Sequence, residues 1–429
     1  MRVEIFCERV FVVAKFLVSG GRKLSGEVKV QGSKNSTLPI LAATILCEDE
    51  SVLFNCPKLS DVDASIRILR YLGCRATRSD STLVVDTTDM KRSDIPHELM
   101  REMRSSIIFL GVLIARCGRA KLSLPGGCEL GPRPIDLHLS ALRQMGIEIT
   151  EQHGELFCVA TDGIKPSKIA LSFPSVGATE NIMLTAVKAK GTTIITNAAK
   201  EPEIEDLAEF LNRCGAKISG AGESTIVIEG VQKLYGCSHS IIPDRIVAAT
   251  IMSAAAGTSS KVTLDGVIQN HLSAIVPVFE QAGCDISCKD GKLTIDAPYR
   301  LRSPKLIRTM PYPGFPTDAQ AVVMAMTCKS SGLTVFVENI FESRYKHVDE
   351  LNRLGAKIKV EGKVAVVDGV RHLSGANVHS LDLRGAAALV VASLSAQGNT
   401  QISGINHLER GYDEFEVVLQ SLGADVKRI

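Results

Sequence analysis

One of the twelve cysteines lies in a segment whose composition could make its thiol reactive. Residues 124–137 are rich in Gly and Pro, which exclude a helix or a central strand and predict that Cys128 lies on an irregular loop. Glu129 follows it directly, and Arg133 lies close by in the sequence. A cation near a thiol lowers its pKa below the free value of about 8.5, so Cys128 is a candidate acid or nucleophile. For most of the other cysteines we predict small buried side chains, kept reduced in a reducing compartment.

Polar residues, several of them cationic, recur at or just before the predicted starts of apolar helices. They are Lys34, Asn35, Arg104, Asp244, Arg245, Asp318 and Arg384. A helix N-terminus carries partial positive charge and free N–H groups, so it favours an anion and disfavours Lys or Arg. Repeated cations at these positions predict an anionic ligand between the helix ends, although for any single residue a solvated surface group is the alternative. Taken alone, Asp318 is better explained as a helix N-cap.

These residues belong to a pattern that occurs six times, about every 70 residues. Each copy has an apolar helix, a strand, a second helix that ends at a Gly, and further strand-like segments, which predicts a β-α-β-α-β-β unit. We predict that the apolar helices are buried and that the second helix of each unit faces water. Three units would form each of two domains, as expected for 429 residues. The apolar helices are predicted at residues 39–46, 107–115, 179–187, 246–256, 319–326 and 386–394.

The composition argues against several classes of function. A net charge of +2, the absence of Trp and an aromatic content of 4% argue against a nucleic-acid partner. The longest apolar run, residues 107–115, is too short to span a bilayer, and charges among residues 1–15 argue against a signal peptide, so we predict a cytoplasmic protein without a membrane partner. Cys284 and Cys288 have no partners at zinc-ligand spacing, so no metal site is predicted. Since nucleotide-binding glycine motifs are also missing, a phosphorylated ligand would be held by helix ends and Arg side chains.

A series of ordered motifs resembles the UDP-N-acetylglucosamine 1-carboxyvinyltransferase family of enolpyruvyl transferases, from about Phe16 to the C-terminus. The motifs are GSKN at 32–35, MRSS at 103–106, PGGCELGPRPIDL at 125–137, SVGAT at 175–179, NAAKEPEI at 197–204, FPTD at 315–318, FE at 341–342, DLR at 382–384 and RGY at 410–412. The resemblance implies an α/β fold, a two-domain inside-out barrel of six βαβαββ-type units, three per domain around buried helices. Residues 1–32 and 243–429 would form one discontinuous domain, and residues 33–242 an inserted domain that carries the Cys128 loop. The active site would lie in the cleft between them.

The same resemblance implies transfer of the enolpyruvyl group of phosphoenolpyruvate to the 3′-hydroxyl of UDP-N-acetylglucosamine, with release of phosphate by addition and elimination. This reaction is the first committed step of peptidoglycan synthesis, so the family serves cell wall formation, cell shape and cell division, and it is the target of fosfomycin. Neither a metal nor an organic cofactor is implied. The two substrates are the expected partners, and no obligate protein partner is evident.

The resemblance also assigns residues to roles. The implied catalytic residues are Cys128 as a candidate general acid, Asp318 as the base, Lys34 and Arg410. The implied phosphoenolpyruvate-binding residues are Lys34, Asn35, Arg133, Arg344, Arg384 and Arg410. The implied contacts to the UDP-sugar are Arg104, Arg133, Pro134, Ile135, Asp136, Leu137, Phe173, Pro174, Ser175, Val176, Asp318 and Ile340. Whether Cys128 acts as an acid or in product release stays open at this level.

Three positions depart from the usual family pattern. Phe173 replaces a Lys found in some members, Val247 replaces a usual Glu, and Ser343 replaces a usual Asn. These departures leave open a divergent, non-catalytic paralogue that binds UDP-sugar. The other alternative is a sister enolpyruvyl transferase with a different acceptor, such as enolpyruvylshikimate-phosphate synthase. The Gly-Gly-Cys loop argues against that enzyme, which does not use a loop cysteine.

Overall fold

A computed structural model gives the structure of residues 14–124 and 135–429. Within these ranges, twenty-four strands form six sheets of four strands each. The strands are β1 (Phe16–Ser19), β2 (Ser25–Lys29), β3 (Glu50–Phe54), β4 (Arg75–Ser79), β5 (Thr82–Asp86), β6 (Asp94–Ile95), β7 (Arg119–Ser123), β8 (Glu148–Gln152), β9 (Glu155–Val159), β10 (Lys168–Ala170), β11 (Thr192–Thr196), β12 (Lys217–Ser219), β13 (Thr225–Glu229), β14 (Ser238–Ser240), β15 (Lys261–Asp265), β16 (Asp285–Lys289), β17 (Lys292–Asp296), β18 (Leu306–Arg308), β19 (Leu333–Val337), β20 (Lys357–Glu361), β21 (Val364–Asp368), β22 (Asn377–His379), β23 (Asn399–Ser403) and β24 (Asp425–Arg428).

Thirteen α-helices lie in the same described part of the chain. They are α1 (Lys34–Ala43), α2 (Ser60–Leu72), α3 (His97–Glu102), α4 (Phe109–Cys117), α5 (Asp136–Gln144), α6 (Val176–Ala186), α7 (Pro202–Arg213), α8 (Arg245–Gly257), α9 (Val276–Gln281), α10 (Thr317–Thr327), α11 (Val348–Arg353), α12 (Leu383–Leu394) and α13 (Phe415–Ser421). Short 3-10 helices occur at Thr44–Leu46, Arg104–Ile108, Gln269–Leu272 and Ile405–Arg410.

Every sheet has the same strand arrangement. A parallel pair lies at one edge, and two antiparallel strands complete the other side, as in the order β10-β11-β13-β12. The third unit runs β10, α6, β11, α7, β12, β13, so the predicted βαβαββ unit is confirmed. The fold is therefore mixed α/β, and the strands described here form separate sheets and not one continuous barrel.

The six apolar helices are the buried ones, as predicted. Every residue of α8 is buried, and most of its side chains are small or apolar. Helices α8, α10 and α12 pack against one another, and α4 packs against α6. The helix predicted at residues 39–46 begins earlier, because Ser33 caps it and accepts a hydrogen bond from Ser36 N. It also ends earlier, at Ala43, and the chain continues as a 3-10 turn.

The second helices are amphipathic and have defined ends. Helix α7 has Pro202 at its start and Glu203 in its first turn, and both favour a helix N-terminus. Helix α2 ends at Gly73, whose φ of 101° is a left-handed conformation that glycine adopts without a Cβ clash.

In the described ranges, the buried apolar side chains form two separate clusters. One uses residues between Leu38 and Ile241, and the other uses Phe16 to Val30 together with Ile246 to Val426. Strand β2 pairs with β15 of the second cluster, whereas β14 returns to pair with β3 of the first. These contacts support our proposal that the domains are divided near residues 32 and 243.

No helix in the described ranges is both long and apolar enough to cross a bilayer.

Candidate active site

The N-termini of buried helices from both apolar clusters lie side by side. The backbone N–H of Lys34, the first residue of α1, donates to Asp244 Oδ2 at 3.2 Å. Asp244 is also the N-cap of α8, where its Oδ1 accepts from Ile246 N at 2.8 Å and from Val247 N at 3.0 Å. One carboxylate therefore joins the starts of two helices that belong to different cores.

The first ion cluster consists of Lys34, Asp61 and Arg410. Lys34 Nζ lies 2.7 Å from Asp61 Oδ2, and Arg410 Nε donates to Asp61 Oδ1 at 3.0 Å. Asp61 is almost fully buried in α2. Burial alone would raise the pKa of its carboxyl group, but Lys34 and Arg410 hold the pKa below its usual value. Burial also lowers the pKa of Lys34, and Asp61 opposes that effect.

The second ion cluster is built around Asp318, at the start of α10. Its Oδ1 accepts from Arg344 Nη2 at 2.7 Å, and its Oδ2 accepts from Arg384 Nη2 at 2.8 Å. Both guanidinium groups are buried, with side chains 3% and 4% exposed. Burial acts to lower the pKa of Arg384, but Asp318 and other nearby groups raise it overall, so this side chain stays charged. Asp318 and Arg384 were predicted at helix starts, and they lie in the first turns of α10 and α12. The prediction that Asp318 by itself is a helix N-cap was wrong, because Pro316 is the N-cap of α10.

Lys34 is within electrostatic range of a cation from each cluster. Arg410 and Arg384 each act to lower the pKa of Lys34. Tyr412 is buried, and its hydroxyl lies 2.9 Å from Thr250 Oγ1 and 3.4 Å from Arg384 Nη1. An anion with two charged groups would meet convergent cations here.

A further buried ion pair lies at the start of α8. Arg245, the first residue of α8, donates from Nε to Glu203 Oε1 at 3.1 Å and from Nη2 to Glu203 Oε2 at 3.3 Å. The ion pair is bidentate, and both side chains are less than a tenth exposed. The fork geometry fixes the orientation of the guanidinium group beside α7. Arg245 is therefore held by a protein carboxylate, which is neither of the two alternatives, an anionic ligand or a solvated surface group, that the sequence left open for a single cation.

The segments expected to contact the sugar nucleotide lie at the starts of helices α5 and α6. Ile135, Asp136 and Leu137 begin α5 and are partly or fully exposed, as are Phe173, Pro174, Ser175 and Val176 before and at the start of α6. Ser175 caps α6 by accepting from Ala178 N at 3.3 Å. Asn181 Nδ2 lies 2.8 Å from His138 Nδ1, which ties α6 to α5. A fixed pair of segments could therefore bind a single ligand.

Ile340 lies on a loop that Glu338 connects to the start of α10. Its backbone N–H donates to Glu338 Oε1 at 2.8 Å, and Glu338 Oε2 accepts from Thr317 Oγ1 at 3.0 Å. Glu338 thus fixes the loop that carries Ile340 against the start of α10. Arg104 begins a 3-10 helix, and Asn35 lies beside Lys34; both are partly buried.

Three predicted site residues, Cys128, Arg133 and Pro134, lie outside the described residues.

The described part of the chain contains no group of three His, Cys, Asp or Glu side chains arranged to hold a metal ion. Phe173, one of the departures from the family pattern, is 42% exposed, and Val247 packs in the second apolar cluster.

Sequence reasoning missed three residues that the structure brings to the site. Asp61, Glu338 and Tyr412 each link two elements of the site. Asp61 in the first turn of α2 is unremarkable in sequence, because an acidic residue there suits the helix dipole. Tyr412 lies in the RGY motif, so its position next to Arg410 was an available signal.

Comparison with known proteins identifies the family. The profile of EPSP synthase (3-phosphoshikimate 1-carboxyvinyltransferase) matches residues 18–419. The chain is 50% identical to UDP-N-acetylglucosamine 1-carboxyvinyltransferase 2 of Caldanaerobacter subterraneus subsp. tengcongensis, over 97% of this chain and 100% of the relative. The chain belongs to this family of enolpyruvyl transferases. The resemblance inferred from the sequence motifs is therefore confirmed.

Further relatives agree with this family membership. The UDP-N-acetylglucosamine 1-carboxyvinyltransferase of Trichlorobacter lovleyi is 45% identical, over 97% of this chain and 99% of that protein. Among solved structures, the enolpyruvyl transferase NikO from Streptomyces tendae is similar with a TM-score of 0.89 and 25% identity, covering 97% of this chain and 99% of that one. EPSP synthase from Acinetobacter baumannii shares the fold, with a TM-score of 0.77 and 18% identity over 97% of this chain and 100% of that one.

Proposed function

We propose that this enzyme transfers the enolpyruvyl group of phosphoenolpyruvate to the 3′-hydroxyl of UDP-N-acetylglucosamine and releases phosphate. The observation that carries the proposal is the convergence of Lys34, Arg344, Arg384 and Arg410 around two carboxylates. In these direct ion pairs the cations outnumber the carboxylates, so the site retains positive charge. Phosphoenolpyruvate carries a phosphate and a carboxylate, which match that excess.

The residues divide the chemistry between them in this proposal. Asp318 accepts the proton of the sugar hydroxyl as its oxygen attacks C2 of phosphoenolpyruvate. Lys34 and Arg410 bind the phosphate, and Arg344 and Arg384 bind the carboxylate. C3 is protonated in the addition step; loss of a C3 proton and departure of phosphate then restore the double bond. Fixed cations stabilise the charge that develops during both steps.

Cys128 is the proposed general acid, and Asn35 and Arg133 are proposed as further contacts to phosphoenolpyruvate. Arg104, Arg133, Pro134, the two exposed segments at α5 and α6, Asp318 and Ile340 are proposed to bind the sugar nucleotide. The names of the relatives support a role in peptidoglycan synthesis. We further propose that the enzyme works in the cytoplasm, contributes to cell shape and division, and is alkylated at Cys128 by fosfomycin.

The deciding experiment measures phosphate release from phosphoenolpyruvate in the presence of UDP-N-acetylglucosamine. We expect release by the wild type and its loss in Cys128→Ala, because removal of an acid or nucleophile costs about 100-fold or more in rate. Cys117→Ala is the matched control, since Cys117 is an exposed thiol outside the site. Absence of release by folded wild type would contradict the proposal.

Fosfomycin provides a second test of Cys128. After incubation with UDP-N-acetylglucosamine and fosfomycin, mass spectrometry should find one adduct, on the peptide that contains Cys128. An adduct on Cys117 instead, or no adduct at all, would remove Cys128 from the proposed mechanism.

A further inference from the structure

Two thiols outside the active site lie close enough to react with each other. Cys214 Sγ and Cys237 Sγ are 3.4 Å apart, although 23 positions separate them in the sequence. Cys214 is the C-cap of α7, and Cys237 directly precedes β14. A backbone hydrogen bond holds each cysteine in place, since Tyr235 N donates to Cys214 O at 2.8 Å and Val52 N donates to Cys237 O at 2.9 Å.

The two thiols differ in accessibility and acidity. Cys237 is half-buried, whereas Cys214 is only 1% exposed. A hydrogen bond from Cys214 lowers the pKa of Cys237 to about 7, with help from His239 and Arg213 against the effect of burial. The pKa of Cys214 is raised by its contacts with Cys237 and Cys47 and by burial. The pair therefore combines a reachable thiolate with a protonated thiol behind it, as in cysteines that form disulfides on oxidation.

We propose that Cys214 and Cys237 form a reversible intramolecular disulfide when the protein meets a hydroperoxide. The Cys237 thiolate attacks the peroxide O–O bond and becomes a sulfenic acid as hydroxide or alkoxide leaves. Cys214 then attacks that sulfur, its S–H proton leaves with the sulfenic oxygen as water, and the S–S bond forms. Both thiols are oxidised by one electron each, and the hydroperoxide is reduced by two. The sulfurs need to approach by roughly 1.4 Å to reach the usual S–S bond length.

The disulfide would lie close to a network that reaches the active site. His239 follows Cys237 by two residues, and its Nε2 lies 2.8 Å from Asp206 Oδ1. Asp206 belongs to α7, the helix whose C-cap is Cys214. Asp206 Oδ2 also accepts a hydrogen bond from Ser36, two residues after Lys34. Oxidation of the pair therefore acts on the elements that support the start of α1.

The experiment treats the purified full-length wild type with hydrogen peroxide, blocks remaining thiols by alkylation, and maps peptides by mass spectrometry. We expect a peptide pair joined through Cys214 and Cys237 that is lost on reduction with dithiothreitol. The linkage should be absent from Cys237→Ser, and it should persist in Cys117→Ser, which removes an exposed thiol elsewhere.

Two results would overturn the proposal. One is folded wild type in which both cysteines remain alkylated as free thiols at peroxide levels that oxidise Cys117. The other is a peptide joined through Cys214 and Cys47, which would show that Cys214 reacts with the buried Cys47 and not with Cys237. Cys47→Ser separates these outcomes, because the proposed disulfide forms without Cys47. The readout is a covalent mass, so it is independent of whether the enzyme has the proposed activity.

Discussion

Replacing Asp61 by Asn tests whether a buried carboxylate positions Lys34 and Arg410, the cations proposed to bind phosphate. Asp61 contacts Lys34 Nζ at 2.7 Å and Arg410 at 3.0 and 3.4 Å, and its side chain is only 4% exposed. The substitution keeps the shape of the side chain but removes the charge. Lys34 and Arg410 then repel each other without a carboxylate between them.

The structure allows an estimate of the effect. A hydrogen bond to a charged group contributes about 1.5–3 kcal/mol when buried, and the Lys34 contact is of this kind. The Arg410 side chain is 37% exposed, so solvent screening reduces its share to about 0.2–1 kcal/mol. Because the Asn oxygen still accepts one hydrogen bond, we expect a net loss of about 2 kcal/mol, or roughly 30-fold in kcat/KM for phosphoenolpyruvate.

The assay is phosphate release as a function of pH at saturating UDP-N-acetylglucosamine. Burial lowers the pKa of Lys34, and Asp61 acts to raise it. Loss of Asp61 therefore lowers the pKa of Lys34 further, so the ammonium group loses its proton at a lower pH. The alkaline limb of kcat/KM should move to lower pH in Asp61→Asn.

Asp86→Asn is the matched control for this substitution. Asp86 pairs at 2.6 Å with Arg75, whose side chain is 70% exposed, and the pair lies outside the site. The control should keep the wild-type rate and pH profile. If Asp61→Asn also kept both, or bound phosphoenolpyruvate more tightly with an unchanged alkaline limb, the positioning argument would be refuted.

Two further substitutions test the other ion pairs. Asp318→Asn should lower phosphate release at least about 100-fold, because it removes the proposed base, while phosphoenolpyruvate binding measured by calorimetry persists through Arg344 and Arg384. Glu203→Gln should lower the free energy of unfolding by about 3 kcal/mol in urea titrations, because Arg245 would be left as a buried cation without its directly bonded carboxylate.

The controls are carboxylates in exposed positions. Asp368→Asn changes an exposed residue at the end of β21, and it should leave phosphate release unchanged. Glu229→Gln removes an exposed partner of Lys217, and we expect its effect on unfolding to be under about 1 kcal/mol. Equal effects in a variant and its control would contradict the corresponding role of Asp318 or Glu203.

The repeated units could be predicted from sequence because their signals are local. A helix such as α8 is apolar on most faces, and a helix such as α2 ends at a glycine with positive φ. Both features depend on residues only a few positions apart, so periodicity and capping rules detect them. The same rules placed the end of α1 three residues too late, because a 3-10 turn continues the apolar pattern.

The cations at the helix starts were predicted as a group, but their partners were not. For Arg245 the sequence left open an anionic ligand or a solvated surface group, whereas the structure pairs it with Glu203. A charge can be recognised in sequence, but the group that neutralises it is set by packing between distant segments. Asp318 is near a helix start, as the sequence predicts. Its contacts with two arginines depend on the tertiary packing.

The family, the six βαβαββ units and the candidate catalytic residues could all be recognised in the amino-acid sequence. How these residues meet depends on the tertiary packing. Asp61 and Arg410 are 349 positions apart, and β14 closes a sheet that begins with β3 almost two hundred residues earlier. Contacts of that range depend on which units pack together and on the register between their strands, and no local pattern of residues contains that information.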